Sequence, residues 1–202
     1  GDSDPWAMLA AAREAHELGM ADVGVTLASR LRTAIGSGAP DDLERLLYPL
    51  DYVGLLDSEA EKYGFDPLFF AGLIRQESLW NPSAGSTAGA LGLTQVIPPT
   101  GEAIAAELGV ADFTPSDLFR PAVALRFGAY YIGGQLDHYE DPYVAMSAYN
   151  AGPGNAARWA AASAGGTPAD FLAAVDFSET ILYVELVWEN YARYLRLYRP
   201  GS

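Results

Sequence analysis

The 202-residue chain has no cysteine, a single lysine (Lys62) and two histidines. The absence of thiols excludes disulfides and thiolate metal sites. His16 and His138 form no metal-binding pattern, so they are expected as surface or capping residues, with no metal and no cofactor. Positive charge is scarce too. Twelve basic residues face 26 acidic ones, giving a net charge of −14 and a pI near 4.3. Phosphate binding needs a clustered basic face, which argues against a nucleic-acid partner. No apolar run approaches the roughly 18 to 20 residues that a membrane span requires. Strict polar–apolar alternation is nearly absent, so little sheet is expected. The chain opens on Gly1-Asp2-Ser3-Asp4-Pro5-Trp6, without an initiating Met or a leader pattern. It reads as a processed or trimmed piece of something longer, and its oligomeric state is not legible.

Half of the residues are hydrophobic and 12% aromatic, enough for one sizeable domain with an accessory element. Helix starts recur: Asp4-Pro5, Asp66-Pro67, Asp141-Pro142 and Thr167-Pro168 each pair a capping side chain with proline at the first helical position. Gly19 and Gly109 follow apolar-periodic runs and supply stops. The periodicity predicts helices near 5–18, 21–35, 41–47, 51–63, 67–80, 99–108, 121–138, 142–149, 153–163, 168–174 and 178–198. In the last helix the row Leu182, Leu186, Glu189 or Asn190, and Arg193 shares one face. The fold class is therefore mainly α, with at most a small β-hairpin or irregular loop near 83–97. Residues 1–47 are Ala-rich and amphipathic, like one unit of a helical solenoid, and the stretch 36–42, "GSGAPDD", reads as a hinge. They form an expected N-terminal extension to a main domain that starts near residue 48.

Three stretches carry candidate chemistry. Glu77 lies on the same helical stripe as Phe70, Leu73 and Ile74, an apolar setting that disfavours its charged form and raises its pKa toward the range of a general acid. An ordinary glutamate at a helix end would instead reach solvent or pair with an arginine. The loop 85–95 holds Gly85, Gly89 and Gly92, with Ser86 and Gln95 as hydrogen-bonding side chains. Glycines let backbone approach a ligand closely. In "AYNAGPGNAARW", 148–159, the Tyr149-Asn150 pair precedes a helix break at Gly152-Pro153-Gly154. Trp80 and Trp159 are candidate sugar-stacking rings.

Together, "ESLWNPSAGSTAGALGLTQVIPPT", "AYNAGPG" and "FSETILYV", in that order, resemble the lytic transglycosylase family of the soluble Slt type, over roughly residues 48–198. The resemblance implies a lysozyme-like helical domain that cleaves the glycan of peptidoglycan in an extracytoplasmic setting. It implies Glu77 as the single catalytic acid and base. Ser86 then corresponds to a serine bonded near that carboxylate, and Gln95, Tyr149, Asn150, Glu179 and Tyr183 to substrate-binding positions. Thr94 and Ile97 stand where methionine is usual and Ile181 where arginine is common, differences expected to bear on contacts along the cleft.

One carboxylate suffices if the substrate supplies the nucleophile. Neutral Glu77 protonates the oxygen between MurNAc and GlcNAc, the 2-acetamido group stabilises C1, and ionised Glu77 deprotonates the C6 hydroxyl, giving 1,6-anhydro-MurNAc. A hydrolytic muramidase on the same scaffold would need a second carboxylate such as Glu179 to activate water. A glycan-binding module without turnover is the non-enzymatic alternative.

Overall fold

The computed structural model describes residues 4–36, 41–164 and 166–199. The expected hinge at 36–42 falls, at residues 37–40, outside them. The elements run α1 (Pro5–Glu17), α2 (Ala21–Ile35), α3 (Asp41–Leu47), α4 (Val53–Tyr63), α5 (Pro67–Ser78) and α6 (Pro98–Glu107). A 3₁₀ turn (Pro115–Phe119) precedes α7 (Pro121–Tyr139), α8 (Pro142–Ala151), α9 (Pro153–Ala162), α10 (Pro168–Ala174) and α11 (Ser178–Tyr198). The predicted caps do what their chemistry allows. Asp66 Oδ1 accepts from the Leu68 N–H at 2.9 Å, and Asp141 Oδ1 from the Tyr143 N–H at 2.8 Å. The 3₁₀ turn is an element the periodicity does not announce. Too short to show a repeat, it is started by Asp117, which accepts from the backbone N–H and the hydroxyl of Thr114.

Helix α5 is the centre of the molecule. Phe69, Phe70, Ala71, Gly72, Leu73 and Ile74 are all buried, so this helix is apolar nearly all round until it approaches Glu77. The long helix α11 lies along it at close range. A Cβ on Gly72 would stand 3.0 Å from the Tyr191 backbone nitrogen. The row of α11 that faces inward is Thr180, Tyr183, Val184, Val187, Asn190, Tyr194 and Leu197. Of the row singled out in the sequence, Asn190 belongs to this inward face, whereas Leu182 and Glu189 face solvent, because the aromatic and β-branched side chains one position along bury more apolar surface. In α7, Leu125, Ala129 and Ile132 are buried as the period requires, whereas Ala122 is exposed at the first turn.

Between α5 and α6 the chain forms no strand among the described residues. Two isolated antiparallel bridges, Gly85–Leu91 and Leu91–Val96, fold it into a compact loop of hairpin character. The α1–α2 hairpin packs on α3, whose Leu43, Leu46 and Leu47 share one core with Phe70 and Leu73. Glu44 of α3, 5% exposed, lies within ion-pairing distance of Arg32 of α2 (3.9 Å) and of Arg193 (4.0 Å) and Arg196 (3.3 Å) of α11. No described helix is long and apolar enough to cross a membrane.

Candidate active site

The site begins where α5 ends. Glu77 is followed by Ser78, the last helical residue, and then by Leu79 and Trp80 in the left-handed region (φ 51° and 67°). Two consecutive non-glycine residues there cost roughly 1–2 kcal/mol each, so the surroundings must hold them. Trp80 is 1% exposed, its Nε1 donates to Tyr194 Oη at 2.8 Å, and Tyr194 Oη donates to the Pro49 carbonyl at 2.8 Å. Ser78 Oγ donates to the Leu93 carbonyl at 2.9 Å. The chain therefore reverses immediately after Glu77 and returns beside it as the loop 81–97.

That loop is fixed from below. A Cβ on Gly92 (φ 72°) would fall 1.9 Å from the Leu118 carbonyl oxygen, so only glycine fits. Thr94 is buried against Gly128 of α7, with its Oγ1 donating to the Ala124 carbonyl at 2.8 Å. Its own carbonyl accepts from Tyr149 Oη at 2.7 Å. Loop and α8 thus meet across a cleft of about 510 Å³, lined among others by Glu77, Ser86, Gln95, Ile97, Tyr149 and Asn150. Gly152 (φ 87°) separates α8 from α9 at its edge.

Glu77 is the only carboxylate among the described residues lining the cleft. Burial pushes it up to about 7, against the opposing effect of a hydrogen bond from Tyr183 Oη to Oε1 at 2.5 Å. Burial and the nearby Glu77 charge hold the Tyr149 and Tyr183 hydroxyls well above their ordinary range, so both remain protonated donors.

The structure gathers Glu77, Ser86, Gln95, Tyr149 and Asn150 around this cleft. Ser86 Oγ accepts from the Ala90 N–H at 3.0 Å, and among the described residues the side chain that hydrogen-bonds Glu77 is Tyr183. Gln95 Nε2 donates to the Gly92 carbonyl at 2.8 Å, bracing the loop from within. Tyr183 is buried behind Glu77. Glu179, in the first turn of α11, is exposed and does not line the cleft. Trp80 and Trp159 are 1% and 0% exposed, which removes both as stacking platforms. Of the three unusual positions only Ile97 lines the cleft: Thr94 is buried beneath it and Ile181 packs on a side cluster with Val144 and Phe171. Two contributors carry no sequence signal of their own. Tyr131 of α7 lines the cleft with its ring 5.3 Å from Tyr149, and Thr180 of α11 bonds Asn150.

A family model described as "Transglycosylase SLT domain" matches residues 54–171. The chain is 32% identical over 152 residues to the "Soluble lytic murein transglycosylase" of Salmonella typhimurium, covering 73% of this chain and 24% of that protein. It spans about a quarter of the length of the curated relatives it matches. The fold resembles the 70 kDa soluble lytic transglycosylase of Escherichia coli with a TM-score of 0.82 at 27% identity, over 95% of this chain and 30% of that one. It resembles an inactive glutamate-to-glutamine mutant of the lytic transglycosylase Slt from Pseudomonas aeruginosa with a TM-score of 0.82 at 25% identity, over 96% and 31%.

Proposed function

Since the chain belongs to the transglycosylase SLT family, we propose that it is a peptidoglycan lytic transglycosylase that cleaves between MurNAc and GlcNAc with Glu77 as acid and then base. The observation that carries this reading is a half-buried carboxylate, raised to about 7, that is the only carboxylate among the described residues lining the cleft. At neutral pH such a group is close to evenly divided between its two forms. It can therefore give a proton to the leaving oxygen and later take one from an attacking hydroxyl.

The residues divide the work. Tyr183 holds Oε1, leaving Oε2 to meet the glycosidic oxygen. Asn150 and Gln95 line the walls within which the sugar is oriented. The 2-acetamido oxygen of the substrate stabilises the developing charge at C1. Ionised Glu77 then removes the C6 hydroxyl proton, and O6 closes on C1. An internal hydroxyl already beside C1 has an effective concentration that water cannot match. Glu179 does not line the cleft, so among the described residues no second carboxylate stands there to activate water from the opposite face. The name of the Pseudomonas aeruginosa neighbour, an inactive mutant made by exchanging a glutamate for glutamine, supports one indispensable glutamate. The substrate places the reaction outside the cytoplasm. The main domain, from near residue 48, carries every proposed contact, and the helical extension carries none.

The test is the product. Peptidoglycan digested by the chain should yield 1,6-anhydro-muropeptides, lighter by one water than hydrolysis products. A digest dominated by reducing MurNAc ends would assign the chain to the hydrolases instead.

A further inference from the structure

A second cavity, of about 550 Å³, lies between α4, α6 and α7 beside the Glu77 cleft, and Thr100 and Tyr131 line both spaces. Its walls include Tyr63, Tyr130 and Tyr131 and the carboxylates of Glu107 and Asp137. The Tyr63 and Tyr130 rings meet edge to face at 5.9 Å. Among the described residues Asp137 has no hydrogen-bond or ion-pair partner, and Glu107 accepts only from the Tyr130 hydroxyl. The chain's one lysine, Lys62, also lines this space, but its charge is already engaged. Its Nζ lies 2.5 Å from Oε1 of Glu59, a carboxylate 6% exposed whose Oε2 has no partner among the described residues. The cavity is left with the uncompensated charges of Glu107 and Asp137.

Two neighbouring glycines of α7 line this cavity, for different reasons. At Gly133 a Cβ would stand 2.6 Å from the Tyr63 Cβ, so packing against α4 demands glycine. At Gly134 nothing lies within 4 Å of an added Cβ, and the backbone is outside the left-handed region. Neither packing nor strain asks for glycine there, and glycine weakens a helix interior. What its missing side chain supplies is room in the cavity.

We propose that this cavity binds a primary ammonium on a flexible aliphatic arm, carried by the peptides joined to the glycan that occupies the adjoining cleft. The inference rests on the transglycosylase reading above. The two carboxylates attract the charge, and tyrosine rings attract a cation through their faces. The shared wall of Thr100 and Tyr131 lets one ligand occupy both spaces. An acetylated amine keeps the arm and loses the charge, so it forfeits the site.

The experiment reads kcat and KM on glycan strands of three kinds: peptides with free side-chain amines, the same amines acetylated, and peptides removed. It compares wild type with Gly134→Leu, which fills the cavity, and with Glu107→Gln joined to Asp137→Asn, which removes its charge. Wild type should show a KM about 10-fold lower on free-amine than on acetylated strands, a few-fold from each exposed carboxylate and from the rings. Added salt should shrink that ratio. Both variants should lose it, keep kcat within about 3-fold and match wild type on peptide-free strands. Gly134→Leu should melt at or above wild type, since leucine is the better helix former. No preference in wild type, or a preference that survives both variants, would overturn the proposal. So would equal losses by Gly134→Leu on all three strands, which would make the cavity part of the glycan path. Cadaverine raising the wild-type melting temperature without any preference among strands would also overturn it, because the ligand would then be a free amine. Failure of the wild type on every strand would sink the transglycosylase reading together with this one.

Discussion

At the scale of single residues, Glu77 is stabilised as an acid at the expense of the fold. Its folded pKa, about 7, lies above the ordinary 4.5, so the folded state holds the proton more tightly than the unfolded chain. This contribution is complete below pH 4.5 and is lost as pH rises through 7, amounting to about 3 kcal/mol. Glu77→Gln should therefore melt above wild type, with the gap widening between about pH 5 and pH 8, while turnover falls at least ~10²-fold. Paired melting and activity assays check both, and near-normal cleavage by the folded variant would remove Glu77 from its role. Tyr183→Phe deletes the bond that lowers the Glu77 pKa, so the basic limb of the kcat–pH profile should move to higher pH, with turnover down roughly 10-fold. The stripe of Phe70, Leu73 and Ile74 makes the setting of Glu77 legible in the sequence. The role of Tyr183 as its bonded partner is not legible, because 106 residues separate them and no local pattern reports a contact of that span. Ser86 lines the same cleft as Glu77, and the bond its Oγ accepts from the Ala90 N–H fixes the local turn while leaving the hydroxyl proton free to donate.

At the scale of elements, nearly every helix is legible, since aspartate–proline starts and glycine stops act within a few residues. The path of the loop after α5 is not, because non-glycine residues occupy left-handed positions that sequence rules reserve for glycine. Leu79 is half exposed, so its side chain returns little for that conformation. Leu79→Gly should melt at or above wild type, by up to about 1 kcal/mol, whereas β-branched Leu79→Val should melt below it. The reverse holds at Gly92, where a methyl group would collide with the Leu118 carbonyl. Gly92→Ala should lose at least ~2 kcal/mol and also lower activity by displacing Gln95, measured as denaturant midpoint and kcat/KM on the same sample.

At the scale of the molecule, the main domain and extension suggested by composition meet through α3. Arg75, two residues before Glu77, donates through Nε to the Leu47 carbonyl at 2.8 Å and lies over the Tyr48 ring at 4.1 Å. A chain starting at residue 48 loses that carbonyl together with buried Leu43 and Leu47, about 1.5–3 kcal/mol for each side chain. A chain starting at residue 41 should therefore keep Glu77-dependent cleavage of soluble glycan and melt well above one starting at 48. Loss of activity in a folded 41–202 chain would show that α1 and α2 take part in the reaction. The bond from Tyr183 to Glu77 has a further consequence, one of timing. The acid is carried by the fifth helix and its partner by the last, and α5 and α11 form the main pairing of the core. A ribosome releases these elements in order, and contacts of such long sequence separation form late. A nascent chain ending before Ser178 has neither the partner of the acid nor the cover of its helix, so the Glu77 site cannot assemble until α11 has emerged. Chains ending at residue 177 should therefore be unfolded by circular dichroism and inert on any peptidoglycan that the 202-residue chain digests.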